Sequence, residues 1–181
     1  VEDLCLPPRT GDVEEVARLL GGCDFVVAVG SGEVMDLARA VAARAEPREG
    51  VAGGPAVLIP IAPGIDRAVS RRVTLRGGDK GAVVRMSSPR LYPRLAILDP
   101  ALVDDGGGSR LAMLWAEILV NSLEVLASSA ADTFSLLLAG EALRAALRAP
   151  RLSIAEAYWA ALCAALASTR RGGGACSAVA R

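Results

Sequence analysis

Few residues in this chain have both the type and the spacing to do chemistry. Gly30, Ser31 and Gly32 form a run of small residues between the apolar stretch Phe25-Val26-Val27-Ala28-Val29 and a segment of helical pattern that opens at Glu33. A strand feeding a glycine turn into a helix N-terminus can hold phosphate. Glycine lets the backbone approach the anion, and the first N–H groups and the helix dipole favour negative charge. Asp36 falls early in that helix, where the bland reading is a solvent-facing acid that complements the dipole. Glu117 and Glu124 would share a helix face, as polar residues at its edge. Cys5, Cys23, Cys163 and Cys176 show no CxxC spacing, and the chain contains no histidine. A zinc module or a thioredoxin-like motif is therefore not supported, and the cysteines read as reduced, buried thiols.

Composition narrows the partners. Over 181 residues, twenty basic and twenty acidic side chains cancel, which gives no electrostatic footprint for nucleic acid or an anionic membrane. The basic set is nineteen arginines and Lys80; Gln is absent and Asn121 is the single asparagine. Such a bias fits a thermophile, or equally a GC-rich genome that favours Ala, Arg and Gly. The most apolar window, residues 111–131, carries Glu117, Asn121 and Glu124, a pattern that a membrane span tolerates poorly. With no signal peptide visible, the expectation is a soluble, cytoplasmic protein.

Positioning these residues requires two kinds of structure. Residues 1–104 alternate helix and strand signals. Asp12 with Glu15 reads as a capping box, and the helix after it stops at Gly21-Gly22. A strand over 25–29, a helix over 32–44 and a Pro- and Gly-rich loop over 45–54 come next. Strands are expected over 56–61, 69–75, 82–86 and 95–98, with a polar turn at Pro63-Gly64 and another at Gly77-Gly78. Continuous apolar strands alternating with helices argue for a largely parallel sheet covered on both faces. Residues 105–181 instead read as helices over 109–126, 131–147 and 153–169, the last opened by a Ser153/Glu156 capping box and ended by Gly172-Gly173-Gly174. The fold class is thus α/β: a partial Rossmann-like parallel-sheet half followed by an all-helical half, with the boundary near Asp104.

Several strings, in order, resemble the iron-containing alcohol dehydrogenase and glycerol dehydrogenase superfamily, which includes dehydroquinate synthase. Its pyrophosphate loop reads G-G-G-S-x-x-D-x-A-K, and Gly30-Ser31-Gly32-Glu33-Val34-Met35-Asp36-Leu37-Ala38-Arg39 matches it apart from two positions in the Gly/Ser run and Arg for Lys. Residues 87–102, S-S-P-R-L-Y-P-R-L-A-I-L-D-P-A-L, resemble S-P-x-L-x-P-x-x-A-I-x-D-P-x-L. Residues 131–144, A-D-T-F-S-L-L-L-A-G-E-A-L-R, resemble A-N-P-F-S-D-A-L-A-L-E-A-I-R. The resemblance implies NAD or NADP as the ligand, cradled by Gly30, Ser31 and Gly32 with Asp36 behind them.

The same resemblance marks departures. The family's metal helix G-M-D-A-L-x-H-A-I-E corresponds to Trp115-Ala116-Glu117-Ile118-Leu119-Val120-Asn121-Ser122-Leu123-Glu124, so Glu117 stands at the ligand Asp and Asn121 at the ligand His. Further on, Ser177 stands at a ligand His and Arg181 at a second His near the active site. Cys176, one residue from Ser177, would point about 100° away from the ligand direction. The turn T-T-A-G-T-G-S-E corresponds to Ile61-Ala62-Pro63-Gly64-Ile65-Asp66-Arg67-Ala68 and keeps one glycine, and Trp115 adds bulk where the family has Gly. A catalytic zinc or iron site needs about three good protein ligands, imidazole foremost. No metal site and no catalytic residue are therefore assigned; Tyr92 and Tyr158 are not at catalytic positions, and Lys80 reads as a solvated loop residue.

The expectation is a degenerate dehydrogenase-like protein that retains dinucleotide or phosphate binding. Alternatives are an NAD(P)-dependent oxidoreductase for a small alcohol or carbonyl compound, and a truncated module that docks on a partner subunit. The resemblance starts just before the loop strand, so an open sheet edge is expected to be covered by a homo-oligomer or a partner.

Overall fold

The computed structural model describes residues 8–21, 23–44, 55–61, 64–77, 82–103, 109–148 and 153–171. The 45–54 loop, Gly22, Gly78, Lys80, the Gly172-Gly173-Gly174 stop, Ser177, Arg181, Cys5 and Cys176 lie outside those residues. The chain divides into two compact units, Val1–Leu98 and Asp99–Arg181.

In the first unit, helix α1 (Thr10–Leu19) precedes strand β1 (Val26–Gly30), helix α2 (Gly32–Ala42) and strand β2 (Ala56–Pro60). Helix α3 (Ile65–Val69), strands β3 (Arg72–Gly77) and β4 (Ala82–Ser87), and the two-residue strand β5 (Leu95–Ala96) complete it. A three-stranded parallel sheet has the order β1-β2-β5, with Val26 opposite Ala56 and Val57 opposite Leu95. Strands β3 and β4 form a separate antiparallel pair, Val73 opposite Met86.

Helix α2 is the centre of this unit. Its apolar residues point in two directions, which explains a composition rich in alanine: small side chains let flanking layers approach on both sides. Met35, Ala38 and Ala42 pack with Ala28, Ala56, Leu58 and Ala68 on the sheet side. Ala40 and Val41 pack with Val13 of α1, Val73 and Leu75 of β3, and Leu91.

Several expectations for this unit change. The parallel sheet is covered on one face among the described residues, since Val27, Val29 and Leu95 are each about half exposed, at 52 %, 54 % and 51 %. Strand β1 therefore alternates instead of being buried throughout. The strand expected from Val69 starts at Arg72, because residues 65–69 close into α3 directly after Gly64, whose φ of +113° turns the chain. The strand expected over 95–98 is two residues long. At α1, Asp12 occupies the third helical position and accepts from the Arg9 backbone N–H at 2.7 Å, so the cap lies three residues earlier than the Asp12/Glu15 reading placed it. Cys23 is exposed, against the expectation of a buried thiol, while Cys163 is buried.

The second unit holds helices α4 (Ser109–Leu126), α5 (Thr133–Ala146) and α6 (Ile154–Arg171), each packed on the other two. Asp132 caps α5 by accepting from Ser135 N–H at 2.7 Å. The Ser153/Glu156 capping box forms as read: Ser153 N–H donates to Glu156 at 2.8 Å and Glu156 N–H donates to Ser153 Oγ at 3.3 Å. Glu124 is buried, against its reading as a polar residue at a helix edge, and Glu117 is half-buried. Among the described residues no helix is long and apolar enough to cross a membrane.

Candidate functional site

The Gly30-Ser31-Gly32 turn sits where β1 ends and α2 begins, as the apolar-then-glycine pattern requires. Gly30 carries a φ of +157°, and its carbonyl accepts from Ile61 N–H at 3.1 Å, which ties the turn to the end of β2. A β-carbon on Gly30 would lie 2.9 Å from Val34, and one on Gly64 would lie 3.3 Å from the Gly32 backbone. The two glycines let three backbone segments converge on the helix start.

Ser31 is the N-cap of α2, yet its hydroxyl makes no capping bond. It donates instead to Glu33 Oε2 at 2.9 Å. The helix therefore opens without a side-chain acceptor for its first N–H groups, and these are the groups that bind anions.

Asp36 is not at the turn's surface. It is 1 % exposed and accepts from Arg39, from Arg67 at 3.0 Å and from the Thr74 backbone N–H at 3.2 Å. Burial pushes its carboxyl above the ordinary carboxylate range, against the pull of both guanidinium groups and the Thr74 N–H. Arg39, equally buried, also donates to the Met35 carbonyl at 3.3 Å and the Ser70 carbonyl at 2.6 Å; burial pushes its guanidinium down against the attraction of Asp36. Asp36 thus stands behind the turn as a fastening for α2, β3 and α3, and the residues near the open helix start are Gly32, Glu33, Ser31 and Arg67.

Arg67 is the residue that sequence reasoning missed. Its guanidinium lies 3.0 Å from Asp36 and 3.6 Å from Glu33, and its side-chain stem crosses Gly32. No periodicity links position 67 with position 36; only the fold of α3 brings them together. The Asp36–Arg39 pair does have a signal, opposite charges three residues apart on one helix.

On α4, Glu117 and Asn121 are one turn apart and both half-buried. A carboxylate and a neutral amide are a poor donor set for iron or zinc, and no imidazole exists anywhere in the chain. Among the described residues there is no group of three or more His, Cys, Asp or Glu side chains placed to hold a metal ion. The residues present do not fit the family's iron. Trp115 Nε1 and Ser122 Oγ, on the same helix, are buried without a hydrogen-bond partner.

Comparison with known proteins gives a consistent picture. The iron-containing alcohol dehydrogenase family profile matches residues 7–100. A 1-propanol dehydrogenase, PduQ, of Citrobacter freundii is 30 % identical over 119 residues, covering 66 % of this chain and 32 % of that protein. The iron-containing alcohol dehydrogenase of Thermococcus thioreducens superposes with a TM-score of 0.73 at 25 % identity, over 89 % of this chain and 49 % of that one. The sulfoacetaldehyde reductase of Bifidobacterium kashiwanohense, solved with NAD+, shares the fold at a TM-score of 0.76 and 21 % identity, over 91 % of this chain and 50 % of its own. The chain therefore spans about a third of the curated relative and about half of each of these structures. With the glycine turn at the head of α2 and the profile running through strands β1 to β5, this chain belongs to the iron-containing alcohol dehydrogenase family.

Proposed function

We propose that this chain is a cytoplasmic, degenerate dehydrogenase-like protein that binds a dinucleotide, NAD or NADP, through the Gly30-Ser31-Gly32 turn and does not carry out the family's metal-dependent reaction. One observation carries the reading. The turn and the uncapped start of α2 are kept, whereas the corresponding metal helix offers Glu117 and Asn121 in a chain without histidine. A pyrophosphate placed there meets backbone N–H groups and the positive end of the helix dipole. The test is calorimetric titration with NAD+ and NADP+, beside metal analysis of the purified protein. Micromolar or weaker binding without stoichiometric metal supports the reading; stoichiometric iron or zinc with sustained NAD(P)H turnover on 1-propanol, glycerol or short aldehydes replaces it with a working oxidoreductase. The likeness to a propanol dehydrogenase is the observation that favours that alternative.

A second reading rests on the open sheet face. Val27, Val29 and Leu95 expose apolar surface on a parallel sheet, and Ile97 does so just after β5, an arrangement that calls for cover. A second copy or a partner subunit would supply it. Sedimentation of the purified chain separates the cases: self-association that Val27→Thr with Val29→Thr abolishes supports docking of a second copy, and a well-behaved monomer counts against it.

A further inference from the structure

The glycine turn already has an anion beside it. Glu33, in the first turn of α2, directs one carboxylate oxygen to the Ser31 hydroxyl at 2.9 Å and the other to the Arg67 guanidinium at 3.6 Å. Arg67 in turn is held at 3.0 Å by Asp36, which is buried and fixed by Arg39 and Thr74 N–H. The Arg67 stem runs across Gly32 closely enough that a β-carbon there would overlap it at 2.6 Å. Glu33 and Arg67 are both about one-quarter exposed, so either head can rotate toward water while Asp36 and Arg39 cannot.

We propose that Glu33 and Arg67 form an internal lock on the glycine turn, with the Glu33 carboxylate occupying the Ser31 hydroxyl and the Arg67 guanidinium that a ligand phosphate would use. The inference rests on the turn being a phosphate cradle. Three features fit the lock together. The N-cap hydroxyl is spent on Glu33 and not on the helix, the guanidinium nearest the turn is engaged by the same carboxylate, and the negative charge sits at the end of the helix dipole that attracts anions. Binding is then an exchange. Glu33 swings out, Ser31 is released to donate to a phosphate oxygen, and Arg67 passes from Glu33 to the phosphate while its tether to Asp36 keeps it at the turn. The lock lowers affinity for any phosphate ligand in proportion to the charge of Glu33, and Arg67 is the positioning residue through which it acts.

The test compares the full chain with Glu33→Gln, Arg67→Gln and the double variant, titrated at low ionic strength with NAD+ and separately with inorganic pyrophosphate, after circular dichroism shows each is folded. Glu33→Gln keeps an acceptor for Ser31 and removes the charge. It is expected to bind both probes about tenfold more tightly than the unmodified chain, the effect of one nearby like charge at a partly exposed site. Arg67→Gln and the double variant are expected to bind at least about tenfold more weakly than Glu33→Gln. Equal or weaker binding by Glu33→Gln, including no binding of either probe, overturns the lock, as does Arg67→Gln binding as well as Glu33→Gln. NAD+ bound equally by the unmodified chain and Glu33→Gln leaves the dinucleotide reading standing without the lock. Pyrophosphate bound more tightly by Glu33→Gln than by the unmodified chain, with NAD+ bound by neither, leaves the lock standing without the dinucleotide.

Discussion

Arg67 and Gly32 occupy the same space up to a single hydrogen atom: a β-carbon on Gly32 would fall 2.6 Å from Arg67 Cδ and 3.0 Å from its Nε. Gly32→Ala must therefore displace the arginine, and the expected cost is about 1–2 kcal/mol of stability. In an Arg67→Ala background the same change should cost almost nothing, since alanine suits the first helical position better than glycine does. A double-mutant cycle by urea unfolding should return a coupling of about 1 kcal/mol. Additive single effects would show that the arginine does not rest on Gly32.

Removing Asp36 should be more damaging than any change at the surface of the turn. Asp36→Ala leaves Arg39 buried without its carboxylate, and losing one partner of a buried pair costs about 3–5 kcal/mol. Arg67 and the Thr74 N–H lose an acceptor as well. Denaturation midpoints at neutral pH check this. A loss below about 1 kcal/mol would mean that water reaches the cluster.

Tyr158 gives the second unit an alkaline limit. Burial, with a smaller push from the Asp99 charge, raises its phenol to about 12 from 10.0. Between those values the unfolded chain has released the proton and the folded chain has kept it, so stability falls as pH rises through that window. The slope is at most about 1.4 kcal/mol per pH unit. Tyr158→Phe should flatten the corresponding part of a stability-against-pH profile, and an unchanged profile would assign the alkaline limit to another group.

Ser122 is a cost that the helices carry. Its hydroxyl is fully buried on α4 and has no hydrogen-bond partner. Ser122→Ala should leave thermal stability unchanged or raise it by about 1 kcal/mol, because an unmade buried hydrogen bond is removed together with its desolvation penalty. A clear loss would point to a bound water that the hydroxyl holds.

The helical half was legible at the level of elements because its signals are local. The span 109–126 follows from periodicity alone, and the Ser153/Glu156 cap from two residues three apart. The cap of α5 at Asp132 carries the same kind of signal, one residue beyond the start at Ala131 that the helical pattern predicts. In the α/β half, the glycine turn and the order of β1, α2 and β2 were readable. Helix α3 was not, since five residues are too few to show a period and Gly64 reads equally as a turn. The burial of Asp36 was not readable either. Its position on α2 suggests a solvent-facing acid, and only packing on both sides of that helix reverses this. Arg67 depends on a contact between residues 31 positions apart, which no single-sequence pattern encodes.

The bond from Thr74 N–H to Asp36 spans 38 residues of sequence and joins the β3–β4 pair to the helix that carries the glycine turn. Ser70, just before β3, is joined to the same helix through Arg39. Helix α2 and β3 should therefore open together, as one cooperative unit in amide hydrogen exchange. The rigidity of the turn is in this way borrowed from a hairpin outside it, and loosening β3 would blur the turn without altering any residue in it.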